Sequence, residues 1–489
     1  MDAPLFLGLD VGTQGTKALL VDVRAQEVVG RGAASYGLIP GLPVGHCEQD
    51  PATWIGAVAR AAREALEGAD PGRVKGIGVS GQQHGAVALD REGRPVRPAK
   101  LWCDTSTVEQ ARALSVALGR PVPAGYTASK LLWLKQREPE SWARTEHVLL
   151  PHDYVNFRLT GRMVMEPGDA SGTGFFDPVL RAFDERAMAA IDGRLPSMLP
   201  PLLEPGAPAG TLSAGGAALL GLEPGVLVSA GGGDNMMSAI GAGATREGVF
   251  VLSLGTSATI FTRTERCIAD PTGAIAPFCS SDGAWLPLLC VMNATKVLEE
   301  VCLAFGLGHE ELCERASRLP LGGDGLHWLV FLQGERVPDL PEAAGSLLGM
   351  RPGCLDPGRL YRAAIEGVAC SLGHGLSRMR ALGLDVGVVR LAGGASANPV
   401  ARSVLADVLG AEVVPLLEPE SAALGAALQA AWTESRARGC GLDLDELASG
   451  FALSAAPPSR PAPENTRAAR ALVRRHAEWL ERIHGVRPG

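Results

Sequence analysis

The chain has 489 residues, of which 46% are hydrophobic and 20% charged, the balance of a globular protein. This length exceeds one ordinary core and predicts two or three domains. The net charge of −8 at pH 7 provides no basic groove and excludes nucleic acid as an expected partner, although glycine-loop amides and a metal ion could still hold an anionic ligand.

The first predicted elements are three short strands joined by tight turns, at residues 5–11, 17–23 and 27–31. Gly12 and Gly15 mark the first turn. A helix follows from Pro51, with Asp50 as its N-cap, and the segment VKGIGVSG returns to a strand. Strands that alternate with helices predict an α/β fold.

The middle of the chain predicts a boundary between two similar domains. Residues 104–226 read as an insertion of helices and irregular segments in the first half. Residues 248–265 repeat the strand, Gly-Thr turn and strand that open the chain. We place the boundary near residues 243–248, which gives units of 1–245 and 246–489.

The last quarter of the chain predicts a further strand, a glycine turn at residues 393–396 and a helix that begins at Asn398 and Pro399. A helix rich in Ala and Gly begins near Ser421. A proline-rich connector then leads to an Arg-rich amphipathic helix at residues 465–484, which we expect to be a solvated surface helix.

The cysteines and the apolar runs indicate a cytoplasmic protein. Ten cysteines are scattered without a CxxC pair, which predicts reduced thiols and no disulfide framework. The N-terminus has no basic segment, and Asp10 interrupts its apolar run, so we expect no signal peptide. No apolar run reaches the roughly 18 residues of a membrane span.

Three glycine-rich turns follow predicted strands, at residues 12–16, 255–257 and 393–396. Each turn presents backbone amides with little side-chain obstruction, as a polyphosphate requires. Any one of them alone reads as an ordinary turn, and none fits the GxxxxGK[ST] pattern. Together they indicate a nucleotide site.

Two charged residues beside the first turn allow two interpretations each. Asp10 ends an apolar strand, where a carboxylate either binds Mg²⁺, often through water, or caps a turn. Lys17 either reaches a phosphate or lies at a strand edge.

Uncharged polar side chains indicate a polyhydroxylated ligand. Gln82, Gln83 and His84 stand between glycines at a strand end, and the alternative is a turn with a surface histidine. Trp102 and Asp104, in LWCDTST, offer an aromatic face and a hydrogen-bond acceptor for the same ligand. Their alternatives are a core tryptophan and a helix-capping aspartate.

Asp234 follows a strand and three glycines in VSAGGGDNMMSAIGAG. It could be a helix N-cap. The glycines favour a second interpretation, because they let a ligand approach the backbone closely and bring a hydroxyl within reach of a general base.

A series of segments resembles, in this order, the FGGY family of carbohydrate kinases. The resemblance covers residues 5 to about 432 and is specific as an ordered set. The segments are DVGTQGTKALLVD, GVSGQQHG, LWCDT, ASKLLWLK, LLPHDYVNFRLTG, GDASGTGFFD, GGGDN, LSLGTSAT, LQGERVP, EGVAC and LAGGASANP.

The resemblance implies two ribonuclease H-like, actin-like domains that flank a catalytic cleft. It makes Asp234 the catalytic base and Asp10 the carboxylate linked to Mg²⁺. The sugar contacts implied or expected are Gln83, His84, Trp102, Asp104 and Asn235. The ATP contacts implied or expected are Gly12, Thr13, Gln14, Lys17, Gly255, Thr256, Gly393, Gly394 and Asn398.

The implied reaction is phosphoryl transfer from ATP to the terminal hydroxyl of D-xylulose. Ribulose, fuculose and glycerol stay open as acceptors, because the Gln at position 83 leaves the exact ketose undecided. A non-catalytic actin-like ATPase and a sugar-binding regulator are alternatives from other classes. GQQHG and GGGDN argue against a scaffold, which needs neither a sugar pocket nor a base. The resemblance also makes a homodimer plausible.

Overall fold

The structure is a computed structural model that describes residues 3–323 and 325–486. Two large sheets dominate it. In chain order the strands are β1 (Leu5–Val11), β2 (Gly15–Asp22), β3 (Glu27–Ser35), β4 (Glu48–Gln49), β5 (Val74–Gly81), β6 (Val87–Leu89), β7 (Ala99–Lys100), β8 (His147–Leu149), β9 (Phe176–Asp177), β10 (Ala182–Phe183), β11 (Pro208–Thr211), β12 (Leu227–Ser229), β13 (Gly232–Gly233), β14 (Val249–Leu254), β15 (Ala258–Thr262), β16 (Ala276–Cys279), β17 (Trp285–Val291), β18 (His327–Leu329), β19 (Ser346–Leu348), β20 (Val388–Ala392) and β21 (Glu412–Pro415).

The helices cover the sheets and form the connections. In chain order they are α1 (Pro51–Ala65), α2 (Val108–Leu118), α3 (Thr127–Arg137), α4 (Pro139–Arg144), α5 (Pro151–Thr160), α6 (Pro167–Ala170), α7 (Glu185–Ile191), α8 (Leu195–Met198), α9 (Ala214–Leu220), α10 (Asp234–Gly241), α11 (Thr295–Phe305), α12 (His309–Ser317), α13 (Pro357–Ala381), α14 (Pro399–Leu409), α15 (Ser421–Ala437), α16 (Leu444–Phe451) and α17 (Thr466–His484). Short 3-10 helices lie at Pro71–Arg73, Gly394–Ala397 and Pro463–Asn465.

The two large sheets share one topology. In the first sheet, β1 pairs with β2 antiparallel and with β5 parallel, β3 extends the antiparallel side, and β12 extends the parallel side. In the second sheet, β14, β15, β20, β17 and β21 take the same places. The two α/β units and the repeat between the chain halves are therefore confirmed, whereas the division at 245/246 stays a prediction.

The expected N-cap of α1 is observed. Pro51 is its first residue, and the Asp50 side chain accepts a hydrogen bond from the Ala52 amide at 2.9 Å. Capping satisfies an amide that has no partner inside the helix. The buried face of α1 contains Trp54 and Val58 and packs on β2 and β3.

The predicted insertion at 104–226 is shorter than we expected. β11 and β12 join the edge of the first sheet, and α5 and α9 pack against α1. The later part of the segment therefore belongs to the first α/β unit. β11 has only four residues and carries little alternation, which is why the sequence pattern did not reveal it.

A large apolar cluster joins the two halves. It combines residues of β1 and β2 with residues of β14, and helices α10 and α15 lie at its centre. The two helices cross at glycines: a Cβ at Gly241 would collide with the Ser421 carbonyl, and one at Gly425 with the Met237 carbonyl. At this crossing the Ser238 and Ser421 hydroxyls lie 2.7 Å apart.

Helix α15 also lies on the first sheet, although it belongs to the second half of the chain. A Cβ at Gly8 of β1 would collide with the Ala423 carbonyl, and one at Gly78 of β5 with the Ala426 carbonyl. Glycine is thus required at these strand positions because the helix backbone approaches them directly.

The last helix is only partly solvated, which corrects the expectation of a surface helix. α17 buries Ala469, Leu472, His476 and Leu480 and packs on α13 and α14. The arginine-rich face stays exposed, and its amphipathic pattern predicted that much. Across the described residues, every helix is too short or too polar to cross a bilayer.

Candidate active site

Asp10 and Asp234 lie at one edge of the first sheet. Asp10 is opposite Ser80 in the β1–β5 register, and Gly232 is opposite the same Ser80 on the other side of β5. Asp234 follows β13 directly as the first residue of α10. Carboxyl ends of parallel strands meet at one sheet edge, where open α/β sheets bind their ligands.

Asp234 is the first residue of the helix and not its cap. The N-cap of α10 is Gly233, and Asp234 Oδ1 accepts from the Asn235 amide at 2.9 Å and from Asn235 Nδ2 at 3.0 Å. Burial, followed by repulsion from Asp10 and Asp169, raises the pKa of Asp234 to about 7. A carboxylate with this pKa is suited to general base catalysis at neutral pH.

Two of the three glycines before Asp234 have separate steric causes. Gly231 has φ +72°, and a Cβ there would collide with the Val79 carbonyl. A Cβ at Gly233 would lie 2.6 Å from Gln83 Cγ. Because Gly233 has no side chain, Gln83 can pass over the backbone toward Asn235.

A chain of amide and hydroxyl groups lies beside Asp234 and joins the two halves. Asn235 Nδ2 donates to Gln83 Oε1 at 2.8 Å, and Thr259 Oγ1 of β15 donates to Asn235 Oδ1 at 2.9 Å. Gln83 Nε2 is buried and has no acceptor among residues 3–323 and 325–486. It is therefore a donor available to a hydroxylated ligand.

His84 is held in a strained backbone conformation against the second half. Its φ is +64°, and its ring fills the space that a Cβ at Gly172 would occupy. The ring centroid lies 4.8 Å from that of Tyr126 and 5.9 Å from that of Phe278. Burial, with the charges of Lys130 and Arg336, holds the pKa of His84 well below its ordinary value, so the imidazole is neutral.

Trp102 connects the sugar side to the first glycine turn. Its Nε1 donates to Thr13 Oγ1 at 3.0 Å, and that hydroxyl donates to Gln82 Oε1 at 3.0 Å. Trp102 is half-buried, so the alternative interpretation of this residue as a core tryptophan is wrong. Gln82 is buried and serves as a structural link to Gln49.

Asp104 corrects an expectation, because it does not present a free acceptor to a ligand. Its side chain is fully buried, and its oxygens accept from the Cys47 amide at 2.9 Å, from Lys100 Nζ at 3.1 Å and from Ser106. Asp104 thus fixes the loop that carries Trp102.

A possible metal cluster also includes Asp104. Ligand atoms of His46, Glu48 and Asp104 all lie within 4.8 Å of one another. However, the Lys100 ammonium already lies among them, 2.9 Å from Glu48 Oε1 and 3.3 Å from His46 Nδ1. This internal cation balances the charge that a metal ion would otherwise neutralise.

Asp10 is better suited to bind Mg²⁺ than the cluster of His46, Glu48 and Asp104. It is half-buried, accepts a hydrogen bond from Ser80 Oγ at 2.7 Å, and has its pKa raised to about 6 chiefly by burial. A carboxylate that burial makes costly to ionise is stabilised by a nearby cation. Oxygen ligands of this kind, completed by water and phosphate, are those that Mg²⁺ prefers.

In each of the two Gly-Thr turns, the glycine amide closes the turn, and the second turn is one residue shorter than the first. The Gly12 amide donates to the Gly15 carbonyl at 3.0 Å, and the Gly255 amide donates to the Ser257 carbonyl at 2.9 Å. Gln14, next to Thr13, and Thr256 are exposed at the tips of these turns.

The third turn lies beside the second. Gly393 has φ +91°, and a Cβ there would collide with the Leu254 carbonyl, so β14 and this turn are in contact. Gly394 is exposed. The structure thus brings the second and third turns together in the second half and places the first turn in the first half.

Lys17 and Asn398 both have protein partners. Lys17 forms an ion pair with Glu420, and half of its side chain is exposed. Asn398 caps α14 by accepting from the Ala401 amide at 3.0 Å, and its Nδ2 donates to the Tyr361 hydroxyl at 3.2 Å. Their predicted contacts with ATP stay predictions.

A fully buried ionisable cluster lies behind the glycines. His152 Nδ1 is 2.6 Å from Asp169 Oδ2, and His152 Nε2 is 3.1 Å from Asp153 Oδ1. His152 contacts the backbone next to Gly81 and Gly231. The negative charge of Asp169 is one of the causes that raise the pKa of Asp234.

Sequence reasoning missed several residues of this site. Tyr126, Gly172, Thr259 and Phe278 surround His84 and Asn235 but come from four separate elements or loops. Three of them fall in or beside segments that carried the family resemblance. Nothing in those segments alone indicated which side chain faces the cleft.

This fold and its paired carboxylates define a two-domain protein of the ribonuclease H-like, actin-like class. Residues 5–241 match the N-terminal domain of the FGGY family of carbohydrate kinases, and residues 250–434 match its C-terminal domain. The chain therefore belongs to the FGGY family, and it is a carbohydrate kinase. FGGY sugar kinases use ATP with Mg²⁺.

Several characterised relatives are similar over most of their length. A xylulose kinase of Haemophilus influenzae is 42% identical over 446 residues, which cover 88% of this chain and 90% of the relative. A xylulose kinase of Streptomyces rubiginosus is 38% identical, with 88% of each chain covered. The crystal structure of xylulose kinase from Rhodospirillum rubrum is 27% identical, with a TM-score of 0.87 over 98% of this chain and 99% of that one.

Proposed function

We propose that the chain transfers the terminal phosphoryl group of ATP to the terminal hydroxyl of D-xylulose, giving D-xylulose 5-phosphate and ADP. The observation that carries this proposal is the position of Asp234, a carboxylate with a pKa of about 7 beside uncharged donors and acceptors. The similarity to xylulose kinases supports the choice of sugar.

The sugar side binds its substrate without charge. Gln83 Nε2 and the neutral His84 ring supply groups that hydrogen-bond hydroxyls, and Asn235 fixes Gln83. A site of amides and a neutral imidazole suits an uncharged ketose. Such a site discriminates strongly against an analogue that lacks one of the bonded hydroxyls, because a buried polar group would be left unpaired.

Asp234 acts as the general base in this proposal. It accepts the proton of the terminal hydroxyl as the oxygen attacks the phosphorus, and the bond to the ADP oxygen breaks. Asn235 donates to Asp234 Oδ1, which leaves Oδ2 for the hydroxyl. Asp10 would hold Mg²⁺, which when bound neutralises charge on the phosphate oxygens.

The nucleotide side is assigned to the turns of the two halves. Gly12, Thr13 and Gln14 approach the phosphates from the first half, and the turns at Gly255 and Gly393 approach from the second. Gly255 and Gly394 are exposed, and Gly12 and Gly393 are half-buried, so an anion can approach the backbone of these turns without meeting a side chain at these positions. Closure of the two halves on the sugar would exclude water and limit ATP hydrolysis.

The test measures ADP release with MgATP across D-xylulose, D-ribulose, L-ribulose, L-fuculose and glycerol. Asp234→Ala is assayed in parallel, with sugar binding measured separately by calorimetry. We expect turnover with D-xylulose and a loss of kcat of about 100-fold or more in the variant, with a small change in sugar affinity. Near-normal kcat in Asp234→Ala would remove Asp234 from the base role.

The panel also decides between acceptors. Preference for another sugar would keep the mechanism and change the substrate. ATP hydrolysis that no sugar stimulates would instead favour a nucleotide-driven protein without sugar kinase activity. A cytoplasmic location and a homodimer complete the proposal, and cell fractionation and light scattering test them.

A further inference from the structure

Arg336 lies at the cleft, and hydrogen bonds of the preceding residue hold its backbone in place. It belongs to LQGERVP in the second half, and its side chain is exposed. The preceding Glu335 is buried and accepts hydrogen bonds from the Met292 amide at 2.7 Å, from Asn293 Nδ2 at 3.1 Å and from the Arg336 amide at 2.7 Å. The backbone that presents the guanidinium is therefore fixed by three hydrogen bonds.

The Arg336 guanidinium reaches across to the first half. Its Nη2 lies 3.3 Å from the position that a Cβ on Gly125 would take, next to the Trp102 carbonyl. It is close enough to His84 to contribute to the lowered pKa of that ring, after burial and the charge of Lys130. The guanidinium is thus on the sugar side of the cleft.

A second set of contacts leads from Arg336 to the reacting end of the site. The guanidinium lies close enough to the Cys290 thiol for its charge to lower the pKa of that thiol, against the larger effect of burial, which raises it. Cys290 is directly opposite Thr259 in the β15–β17 register, so the two side chains share one face of the sheet. Thr259 in turn donates to Asn235, the neighbour of Asp234.

The charge of Arg336 has no carboxylate partner in the described parts of the chain, 3–323 and 325–486. The nearest one in sequence, Glu335, is bound by amides. The groups that the guanidinium charge acts on include the neutral His84 ring, the Tyr126 hydroxyl and the buried Lys130, and none of these three is an anion. An uncharged sugar needs no guanidinium, whereas a phosphoryl group is bound by one through paired, charge-assisted hydrogen bonds.

We propose that Arg336 is a catalytic residue that binds the oxygens of the phosphoryl group during its transfer and holds the sugar phosphate product. The inference rests on the proposed sugar kinase function. In this step the hydroxyl proton goes to Asp234, the new bond joins the sugar oxygen to phosphorus, and the bond to ADP breaks. Arg336 supplies charge from the second half of the molecule, across the cleft.

The test compares Arg336→Met and Arg336→Lys with Arg470→Met, a matched control on the exposed face of α17. Steady-state kinetics with MgATP give kcat. Calorimetry without nucleotide gives the Kd of D-xylulose and that of D-xylulose 5-phosphate, or of whichever acceptor pair the unchanged protein uses. Circular dichroism checks that each variant is folded.

For Arg336→Met we expect kcat to fall about 100-fold or more. The sugar phosphate should bind about tenfold more weakly or worse, while the Kd of the free sugar stays within about twofold. The kcat and product affinity of Arg336→Lys should lie between those of Arg336→Met and the unchanged protein, because lysine keeps the charge but cannot form the paired hydrogen bonds. Arg470→Met should match the unchanged protein.

Two outcomes would overturn the inference. Equal weakening of the sugar and its phosphate would make Arg336 a sugar contact, and unchanged kcat and product binding in Arg336→Met would leave it without a role. If the unchanged protein phosphorylates no sugar, the proposed function fails, and this inference fails with it. An active enzyme with an unaffected variant contradicts the Arg336 proposal alone.

Discussion

Asp234 sets the expected pH dependence of activity. Its pKa is raised to about 7 by burial and by the charges of Asp10 and Asp169, and only the ionised form accepts a proton. We therefore expect kcat/KM to rise about tenfold per pH unit below pH 7 and to level off above it. Rates measured from pH 5.5 to 9 at saturating MgATP test this. A profile that is flat from pH 5.5 to 7 would contradict it.

The Asp234 carboxylate should also lower the free energy of unfolding at neutral and higher pH. A carboxyl whose pKa is raised on folding favours the folded state at low pH, and this contribution is lost as the pH rises from about 4 through 7. Asp234→Asn removes that loss, so the variant should gain about 2 kcal/mol at pH 8, allowing for the open side of the carboxylate.

Chemical denaturation at pH 8 and at pH 4 measures this effect, with Glu223→Gln as the control for an exposed carboxylate. The advantage of Asp234→Asn should shrink toward pH 4, while the control stays close to the unchanged protein at both pH values. An Asp234→Asn variant that is less stable than the unchanged protein at pH 8 would show that the carboxylate stabilises the fold.

The sequence predicted site residues where a strand ends in a glycine turn. Asp10 and Asp234 were predicted in this way, and the structure brings them to one sheet edge. It did not predict that Glu48 joins Asp104 at the Lys100 ammonium, because Glu48 becomes a neighbour of Lys100 only through the pairing of β4 with β7. Arg336 escaped notice for the same reason, since its position depends on how the halves pack.

At the scale of elements, the crossing of α10 and α15 depends on glycine. We expect Gly425→Ala to destabilise the protein by about 3 kcal/mol or more, because the added methyl group meets the Met237 carbonyl and the two helices must separate. Gly441→Ala is the matched control, since nothing lies within 4 Å of its Cβ position. Urea denaturation measures both, and equal stabilities would contradict the tight crossing.

Strands and helices with clear periodicity were predicted well. The first three strands, α1 and the repeated strand–turn–strand at β14 and β15 lie where the pattern of apolar residues placed them. β11 and β13 were missed, because two- to four-residue strands give no period to detect, whereas the strand before the three glycines was predicted and is β12. The partly buried α17 shows that an amphipathic pattern identifies a helix without fixing how deeply its apolar face is packed.

At the scale of the whole molecule, three buried histidines connect α17 to its domain. His327 Nε2 lies 2.8 Å from His476 Nδ1, and the His374 ring lies 5.2 Å from that of His476. Burial lowers the pKa of His327 to about 3 and that of His374 to about 4, so the rings are neutral in the folded protein. The nearby Arg475 adds to the effect on His327.

When folding lowers the pKa of a histidine, the protein loses stability as the pH falls below about 6.5, the pKa of histidine in the unfolded chain. The unfolded chain then binds a proton that the folded protein does not bind. His374→Gln should remove about 2 kcal/mol of the stability loss between pH 7.5 and pH 5. Denaturation at both pH values measures the difference. An identical loss in the variant and the unchanged protein would show that His374 is already protonated in the folded state.

The position of α15 on the first sheet has a consequence for biosynthesis. A ribosome releases β1 and β5 early, yet the helix that covers Gly8 and Gly78 of these strands is not complete until Ala437 has emerged. The nascent first half therefore waits with one sheet face bare, and such surfaces attract chaperones or aggregate. We therefore expect residues 1–245 to be insoluble when they are expressed alone. The two halves must fold together, although each contains a complete α/β sheet of the same topology.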